Sequence, residues 1–589
     1  MSNKYSRNFG CAFLMVAMLC FCRPLLAQQS GEAKIRLNQI GFYPKAPKTA
    51  ILISSGDSIF YIRTIEKKTV FTGRLKRSVK PDFAGNYTWV ADFTPLHRTG
   101  TYRLFAPGLG YSYPFKIKNN VHSEVARGAI KAYYFMRASL PLKEKFAGKW
   151  ARAEGHPDTA VLVHPSAASD KRPAGTVISS PRGWYDAGDY NKYIVNSGIS
   201  TSTLLSLYED FPDYMKKVKL NIPETGNGLP DVLNEVLWNL RWMLTMQDPN
   251  DGGVYHKVTN VEFDKFEMPD KAVAPRYVVQ KGTAATLDFA AVMAQGSRIF
   301  RKFPKELPGL ADSCINAANR AWDWAGKNPS VAYDQNAMNR KFSPKVTTGA
   351  YGDRNFSDEL IWAASELYST TNDTGYIQHV NLLPDTRMPL PAWSQVRPLG
   401  YYALLKNGGV KGLKDLSGIK QNLITFADSL VSGADETAYH TVMNKSKRNF
   451  NWGSNSVAAN QGVALIQAYK LTGDTKYLAY ALDNLDYILG RNGTGYCYVT
   501  GFGSRPSMNP HHRPSQSDGV TDPVPGMLVG GPNPGMQDGI KVPSTVPDEA
   551  YIDDYRAYAV NEIAINWNAP LAYLANALEA LQDKLKPLN

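Results

Sequence analysis

Between Ile35 and Lys118 the chain alternates apolar and polar positions in short β-rich runs. These are Ile51-Leu52-Ile53, Ser58-Ile59-Phe60-Tyr61-Ile62, Thr88-Trp89-Val90-Ala91-Asp92-Phe93 and Gly100-Thr101-Tyr102-Arg103-Leu104. Turn signals such as Ser55-Gly56-Asp57 and Gly85-Asn86 separate them at the spacing of a small sandwich. The pattern predicts an immunoglobulin-like β-sandwich over residues 33–119. After Asn119 the period changes to that of a helix. Helices are predicted over 125–140, 198–211, 229–247, 282–300, 310–326, 357–371, 396–406, 416–431, 456–471, 476–489 and 565–582, with a shorter candidate over 376–383. In the third, Leu229, Val232, Leu233, Val236, Leu240, Met243 and Leu244 form one stripe, with Pro230 and Asp231 at the first turn. About a dozen consecutive helices with almost no strands predict a mainly α domain over 120–589. Paired helices wound into a closed toroid would open a deep groove at one end.

Two Gly/Pro-rich segments interrupt the helices, Gly155 to Asp189 and Gly490 to Tyr555. An irregular segment of that length inside a helical domain is usually functional. The second contains Gly530-Gly531-Pro532-Asn533-Pro534-Gly535, which lacks the flanking strand, helix and lysine of a phosphate-binding loop.

At 589 residues the chain has room for more than one domain and a large core. Its 43% hydrophobic and 20% charged content is that of a soluble globular protein. The net charge of +14 is spread thinly, without a basic block interleaved with aromatics, so no nucleic-acid partner is expected. Lys4 and Arg7 precede an apolar run from Cys11 to Cys22, and Leu25-Leu26-Ala27 offers a cleavage site. This reads as a signal peptide over 1–27, and the run is too short for a comfortable membrane span. Cys20 and Cys22 lack the preceding small residue of a lipid-anchor site. Secretion to the periplasm, cell surface or exterior is expected. Cleavage leaves Cys314 and Cys497, with Cys314 placed as a small core residue. No C-x-x-C or H-E-x-x-H is present, which disfavours zinc.

The candidate chemistry begins at Gly183-Trp184-Tyr185-Asp186-Ala187-Gly188-Asp189-Tyr190. Asp186 and Asp189 can converge on one small volume, with Trp184 and Tyr185 offering flat faces. Carboxylates beside stacking surfaces suit glycoside hydrolysis; a D-x-x-D turn with each Asp capping a backbone N–H is the alternative. Further on, Asn509-Pro510-His511-His512-Arg513 supplies donors suited to sugar hydroxyls. Glu562 stands among Val560, Ile563, Ala564 and Ile565, an apolar setting that raises a carboxyl pKa as a general acid requires. An exposed helical Glu is the alternative.

Together these segments resemble glycoside hydrolase family 9, inverting β-glucanases that are chiefly endoglucanases. Val499-Thr500-Gly501-Phe502-Gly503-Ser504-Arg505 followed by His511-His512-Arg513 is similar to the family's histidine signature. Tyr551, Asp553, Tyr558, Glu562, Ala564 and Asn568-Ala569 are similar to its acidic signature, and Asp186-Ala187-Gly188-Asp189 to its base motif. Ile222-Pro223-Glu224, Leu229-Pro230-Asp231, Gly252-Gly253-Val254-Tyr255-His256-Lys257, Ser357-Asp358-Glu359-Leu360 and Trp452-Gly453-Ser454-Asn455 agree as well. Arg36-Leu37-Asn38-Gln39-Ile40-Gly41-Phe42 resembles the immunoglobulin-like module that often precedes this domain.

The resemblance implies an (α/α)6 barrel with Asp189 as general base, Asp186 orienting the attacking water and Glu562 as general acid. It implies substrate binding by His511, Arg513 and His256, with Tyr558 and Trp184 as stacking surfaces. It requires no cofactor, but it implies a structural calcium at Asp358 and Glu359 in many members, together with an Asp after a tryptophan. Here Trp393 is followed by Ser394-Gln395, which removes one anionic ligand. Cys497 departs from the family's usual Ser, Thr or Val. The expected function is endo-acting hydrolysis of a β-1,4-glucan (cellulose, mixed-linkage glucan or xyloglucan) by a monomer. An exo-acting glucosidase or glucosaminidase on the same scaffold and a non-catalytic sugar-binding protein are the alternatives.

Overall fold

The computed structural model describes residues 34–53, 57–78, 85, 87–407 and 416–586. The leader over 1–27 and the turn residues Ser55, Gly56 and Asn86 lie outside them. Strands are numbered in chain order. One sheet of the N-terminal sandwich runs β1 (Ile35–Arg36), β3 (Thr49–Ile53), β7 (Thr88–Asp92), β6 (Lys76–Arg77). The other runs β2 (Gly41–Phe42), β10 (Phe115–Ile117), β8 (Gly100–Ala106), β4 (Ile59–Thr64), β5 (Thr69–Arg74), with β9 (Gly110–Tyr111) on β8. Alternate residues point inward, so Phe42, Phe60, Ile62, Leu104 and Phe115 share one core. Phe42 meets Phe93 and Phe115 edge-on at 5.1 and 5.3 Å.

Eleven helices of ten or more residues follow among the described residues. They are α1 (Ser123–Phe135), α2 (Ile194–Asp210), α3 (Asp231–Thr245), α4 (Thr283–Phe300), α5 (Leu310–Lys327) and α6 (Ser357–Thr371), then α7 (Arg397–Lys406), α8 (Leu416–Val431), α9 (Ser454–Thr472), α10 (Lys476–Ile488) and α11 (Ile565–Ala580). Helices α9, α11, α2, α4, α6 and α7 pack in that order as an inner ring, with α8 packed against both α7 and α9 where its two ends meet. The inner helices α2, α4 and α11 are buried on nearly every face, whereas outer α5 buries one stripe of Cys314, Ala317, Ala318, Ala321, Trp324 and Ala325. This is an (α/α)6 barrel with one irregular position. The helix predicted over 376–383 is replaced by a single 3-10 turn at Thr374–Tyr376. Its ring is nonetheless held like an outer helix, because Tyr376 donates to Asn319 of α5 at 2.9 Å and meets Trp322 edge-on.

A second departure bears on the site. A five-stranded sheet, missed in the helical period, runs β12 (Val177–Ile178), β11 (Val161–Val163), β15 (Tyr277–Val278), β14 (Lys257–Thr259), β13 (Lys192–Tyr193). Its strands are two or three residues long, too short to display alternation in sequence.

Candidate active site

Asp186, Asp189 and Glu562 open onto one cavity of about 420 Å3, lined also by Tyr193, Phe263, Tyr351, Trp393, Trp452 and Trp567. Asp186 and Asp189 lie on the loop before β13. The loop is tied down at both ends: Asp186 N donates to Asn191 O at 3.0 Å, and Asp186 O accepts from Ile565 N at 2.9 Å. Gly188 is required by contact, since a Cβ there would stand 2.2 Å from the His511 carbonyl oxygen. Glu562 follows a short turn of helix, Tyr558–Asn561, in extended backbone at the start of the segment leading into α11. Its register is fixed by a parallel bridge to His511 and by Gly530 N donating to Glu562 O at 2.8 Å.

The three carboxyls differ in surroundings. Asp186 accepts Asn196 Nδ2 on both oxygens, at 2.9 and 3.1 Å, and the Tyr351 hydroxyl at 2.9 Å. Asp189 Oδ2 accepts from Asn191 Nδ2 and, at 3.3 Å, from the Tyr193 hydroxyl. Trp452 lines the same cavity as Glu562, and its indole N–H favours the ionised carboxylate. Burial, then the Asp189 charge, pushes Asp186 up to about 8. Burial, then Asp189 and Asp186, does the same to Glu562, also to about 8. At neutral pH the cavity therefore holds protonated carboxyls beside Asp189.

The remaining residues singled out in the sequence are divided by the structure. His511 gives its Nδ1 edge to Tyr555 O at 2.7 Å, and burial lowers its pKa, so the ring is neutral at pH 7. Arg513 clamps the site loops: Nη1 donates to Gly188 O at 2.7 Å and Nε to Asp264 O at 2.9 Å. Tyr558 stands 5.3 Å from Trp452 and 5.8 Å from His511, partly exposed. Trp184 is not a groove wall. It is fully buried, 4.5 Å from Tyr133, and supports the Asp186 loop from below. Tyr185 is buried likewise, with its hydroxyl on His156. His256 does not face the cavity either. Its ring stacks on Tyr333 at 3.9 Å and bonds Ala350 O at 2.8 Å, holding the loop that carries Tyr351. In both cases an aromatic in a loop motif serves the loop's own packing.

The sequence reading missed Tyr351, Tyr193, Phe263 and Trp567. Tyr351 sits at φ 47°, a left-handed conformation for a bulky residue that no sequence signal announces. Trp393 and Trp452 lay in stretches already singled out for other reasons. Exposed Phe263, Phe266, Trp452 and Tyr555 come from three separate loops around the mouth, with Phe266 edge-on to both His511 and Tyr555 at 5.2 Å.

Asp358 and Glu359 open α6, buried, with Asp288 of α4 close enough to raise the Glu359 pKa. Burial, then Asp288 and Asp358, carries Glu359 up to about 11. Both oxygens of Asp288, both of Glu359, Asp358 Oδ1 and the nearby Gln395 Oε1 have no hydrogen-bond partner. Orphaned oxygens of this kind fit a hard cation, which takes about six to eight of them. Among the described residues no three His, Cys, Asp or Glu side chains form a ready metal-holding group, so an ion would have to draw these carboxyls together. Cys314 and Cys497 are buried free thiols.

Comparison with known proteins places this geometry. A cellulase N-terminal ig-like domain model matches residues 30–111. A xyloglucan-specific endo-beta-1,4-glucanase of Bacteroides ovatus is 44% identical over 583 residues, covering 98% of each chain. Endoglucanase D of Acetivibrio thermocellus is 34% identical over 549 residues, 92% of this chain and 83% of that one. A solved Bacteroides ovatus family 9 structure superposes with a TM-score of 0.89 at 44% identity, covering 93% of this chain and 99% of that one. A thermostable endoglucanase from Alicyclobacillus acidocaldarius gives 0.83 at 31% identity, with the same coverage. The glycosyl hydrolase family 9 model matches residues 122–575, and the chain belongs to that family.

Proposed function

We propose that this enzyme is a secreted endo-β-1,4-glucanase that hydrolyses xyloglucan or a related β-glucan with inversion at the anomeric carbon. One observation carries the reading: Glu562, held protonated to about pH 8, shares one aromatic-lined cavity with Asp189. An inverting pair needs about 6.5–9.5 Å between carboxyls to admit a water. Asp189 takes a proton from that water, whose oxygen forms a bond to the anomeric carbon on the face opposite the leaving group. Glu562 gives its proton to the glycosidic oxygen as the old bond breaks. Asp186, fixed by Asn196 and Tyr351, orients the water. His511 and Arg513 border the cleavage position, and Tyr558 and Trp452 form a stacking wall. Exposed rings on several loops favour an extended chain over a single terminal sugar. The Bacteroides ovatus relative supports xyloglucan among the β-glucans. The apolar leader supports secretion; no helix among the described residues is long and apolar enough to cross a membrane.

A structural calcium held by Asp358 and Glu359, with Asp288 beside them, belongs to the same proposal. It would neutralise buried charge at the N-terminus of α6 and take no part in the bond-breaking chemistry.

Purified protein tested on xyloglucan, mixed-linkage glucan, cellulose, chitosan oligomers and aryl glycosides decides the substrate. A ladder of xyloglucan oligosaccharides is expected, and release of monomer alone would contradict endo action. Asp189→Asn and Glu562→Gln should each lower turnover on polysaccharide by roughly a thousandfold or more while leaving the melting temperature intact.

A further inference from the structure

Three carboxyls crowd one cavity, and something must decide which of them carries the negative charge. Lys257 lies on β14, directly opposite Tyr193 of β13, and is fully buried. Its ammonium donates to three neutral acceptors: Gln335 Oε1 at 2.8 Å, Thr348 Oγ1 at 2.9 Å and Gly349 O at 2.6 Å. Among the described residues no carboxylate forms an ion pair with it. On one side Nζ stands 5.3 Å from the centre of the Tyr193 ring, whose hydroxyl donates to Asp189 Oδ2 at 3.3 Å. Gly349 closes the gap: it lines the cavity, and a Cβ there would lie 2.9 Å from the Tyr193 hydroxyl.

We propose that Lys257 is a positioning residue for the base: its buried ammonium, acting past Tyr193, keeps the negative charge on Asp189 and off Asp186 and Glu562. The inference rests on the reading of Asp189 as the base.

Lys257 reaches Asp189 through the Tyr193 side, whereas the arginines Arg513 and Arg276 bond the backbone carbonyls on either side of it. Facing Asp189 are Asp186, Glu562, His511 and Tyr193; around Lys257 stand Tyr193, Tyr333 and His256, with Tyr351 on the adjoining loop. Both histidines are neutral at pH 7, since burial lowers His511 and carries His256 down to about 3. Burial raises the tyrosines well above neutrality. Asp186 and Glu562 are pushed up to about 8. Burial lowers Lys257 itself to about 7, with Asp189 supporting its charge, so Lys257 is cationic over the acidic limb. Arg513 donates to Gly188 O at 2.7 Å beside Asp189, and Arg276, donating to Tyr190 O at 2.9 Å, is already paired with Asp158. A cation in a site of low polarity favours ionisation of the carboxyl nearest to it.

The test is the pH profile of kcat/KM on a soluble xyloglucan oligosaccharide for wild type, Lys257→Gln and Lys257→Arg, with melting temperature as a check on folding. Without the charge the cavity's carboxyls as a group ionise less readily, so the acidic limb of K257Q should rise by about one pH unit. KM should stay within a few-fold, and K257R should restore the wild-type limb. A folded K257Q with lower kcat and an unmoved limb overturns the proposal, leaving Lys257 a merely structural residue. Should K257Q fail to fold, Gln335→Glu sets a carboxylate against Nζ and cancels its field; it must raise the same limb, and an unmoved limb again overturns the idea. Asp189→Asn separates the two claims: an active D189N sinks the base assignment itself, whereas an inactive D189N with an unmoved K257Q limb sinks only the role of Lys257.

Discussion

Glu562 is a carboxyl under opposing influences. Burial and two aspartates raise its pKa, while the Trp452 indole N–H in the same cavity favours the ionised form. Trp452→Phe keeps the ring and removes the donor. Loss of a hydrogen bond to the charged form raises the pKa, so the alkaline limb of kcat/KM should move upward from the neighbourhood of pH 8. kcat should fall several-fold, in keeping with loss of about 1–2 kcal/mol of orientation. An unmoved limb would mean that Trp452 acts as a wall alone. Because Asp186 and Asp189 interact strongly, limbs from this cavity report the group of carboxyls and not one residue. At this scale the sequence singled out Asp186, Asp189 and Glu562, and all three open onto one cavity. It misjudged Trp184 and His256, because ring orientation depends on packing partners such as Tyr133 and Tyr333 that lie far off in the chain.

Among the elements, the helices were the most legible. Each of the eleven long helices carries an apolar pattern that survives in sequence, and Pro230 marks the start of α3 as expected. The segment over 376–383 has the apolar residues of a helix, yet Tyr376, Ile377, Val380, Leu382 and Leu383 cover the barrel there with no more than a 3-10 turn. The small sheet escaped notice because pairing between Lys192-Tyr193 and Lys257-Val258 is a matter of register between distant segments. That sheet nonetheless sets Lys257 behind the site. The N-terminus of α6 carries its own prediction. Glu359 titrates near 11 when no ion is present, so the uncompensated cluster is most favourable while protonated, and its contribution is lost as pH rises from the ordinary carboxylate range toward that value. Melting temperature in EDTA should therefore fall with pH between about 6 and 9 more steeply than in millimolar calcium. Coincident curves would argue against an ion at Asp358 and Glu359.

Over the whole molecule, the sandwich and the barrel are joined through buried polar contacts. Asn38 donates to Asp486 of α10 at 2.7 Å and lies 2.9 Å from His122 Nε2, and Gln39 donates to Gly495 O at 2.9 Å. Ile51 and Val90 of the sandwich share a small core with Ala438 and Tyr439 of the barrel. Separation would strand these polar groups and expose apolar area on both sides. Calorimetry should accordingly record one cooperative transition for the intact chain, and two resolved transitions would contradict this coupling. The barrel in turn brings Asp189, before α2, and Glu562, before α11, to one end as neighbours on the inner ring. The central claim is that this pair works by single displacement. Proton NMR of the first sugars released from a β-1,4-linked oligosaccharide tests it most directly: the account predicts the α-anomer before mutarotation, and initial formation of the β-anomer would contradict it.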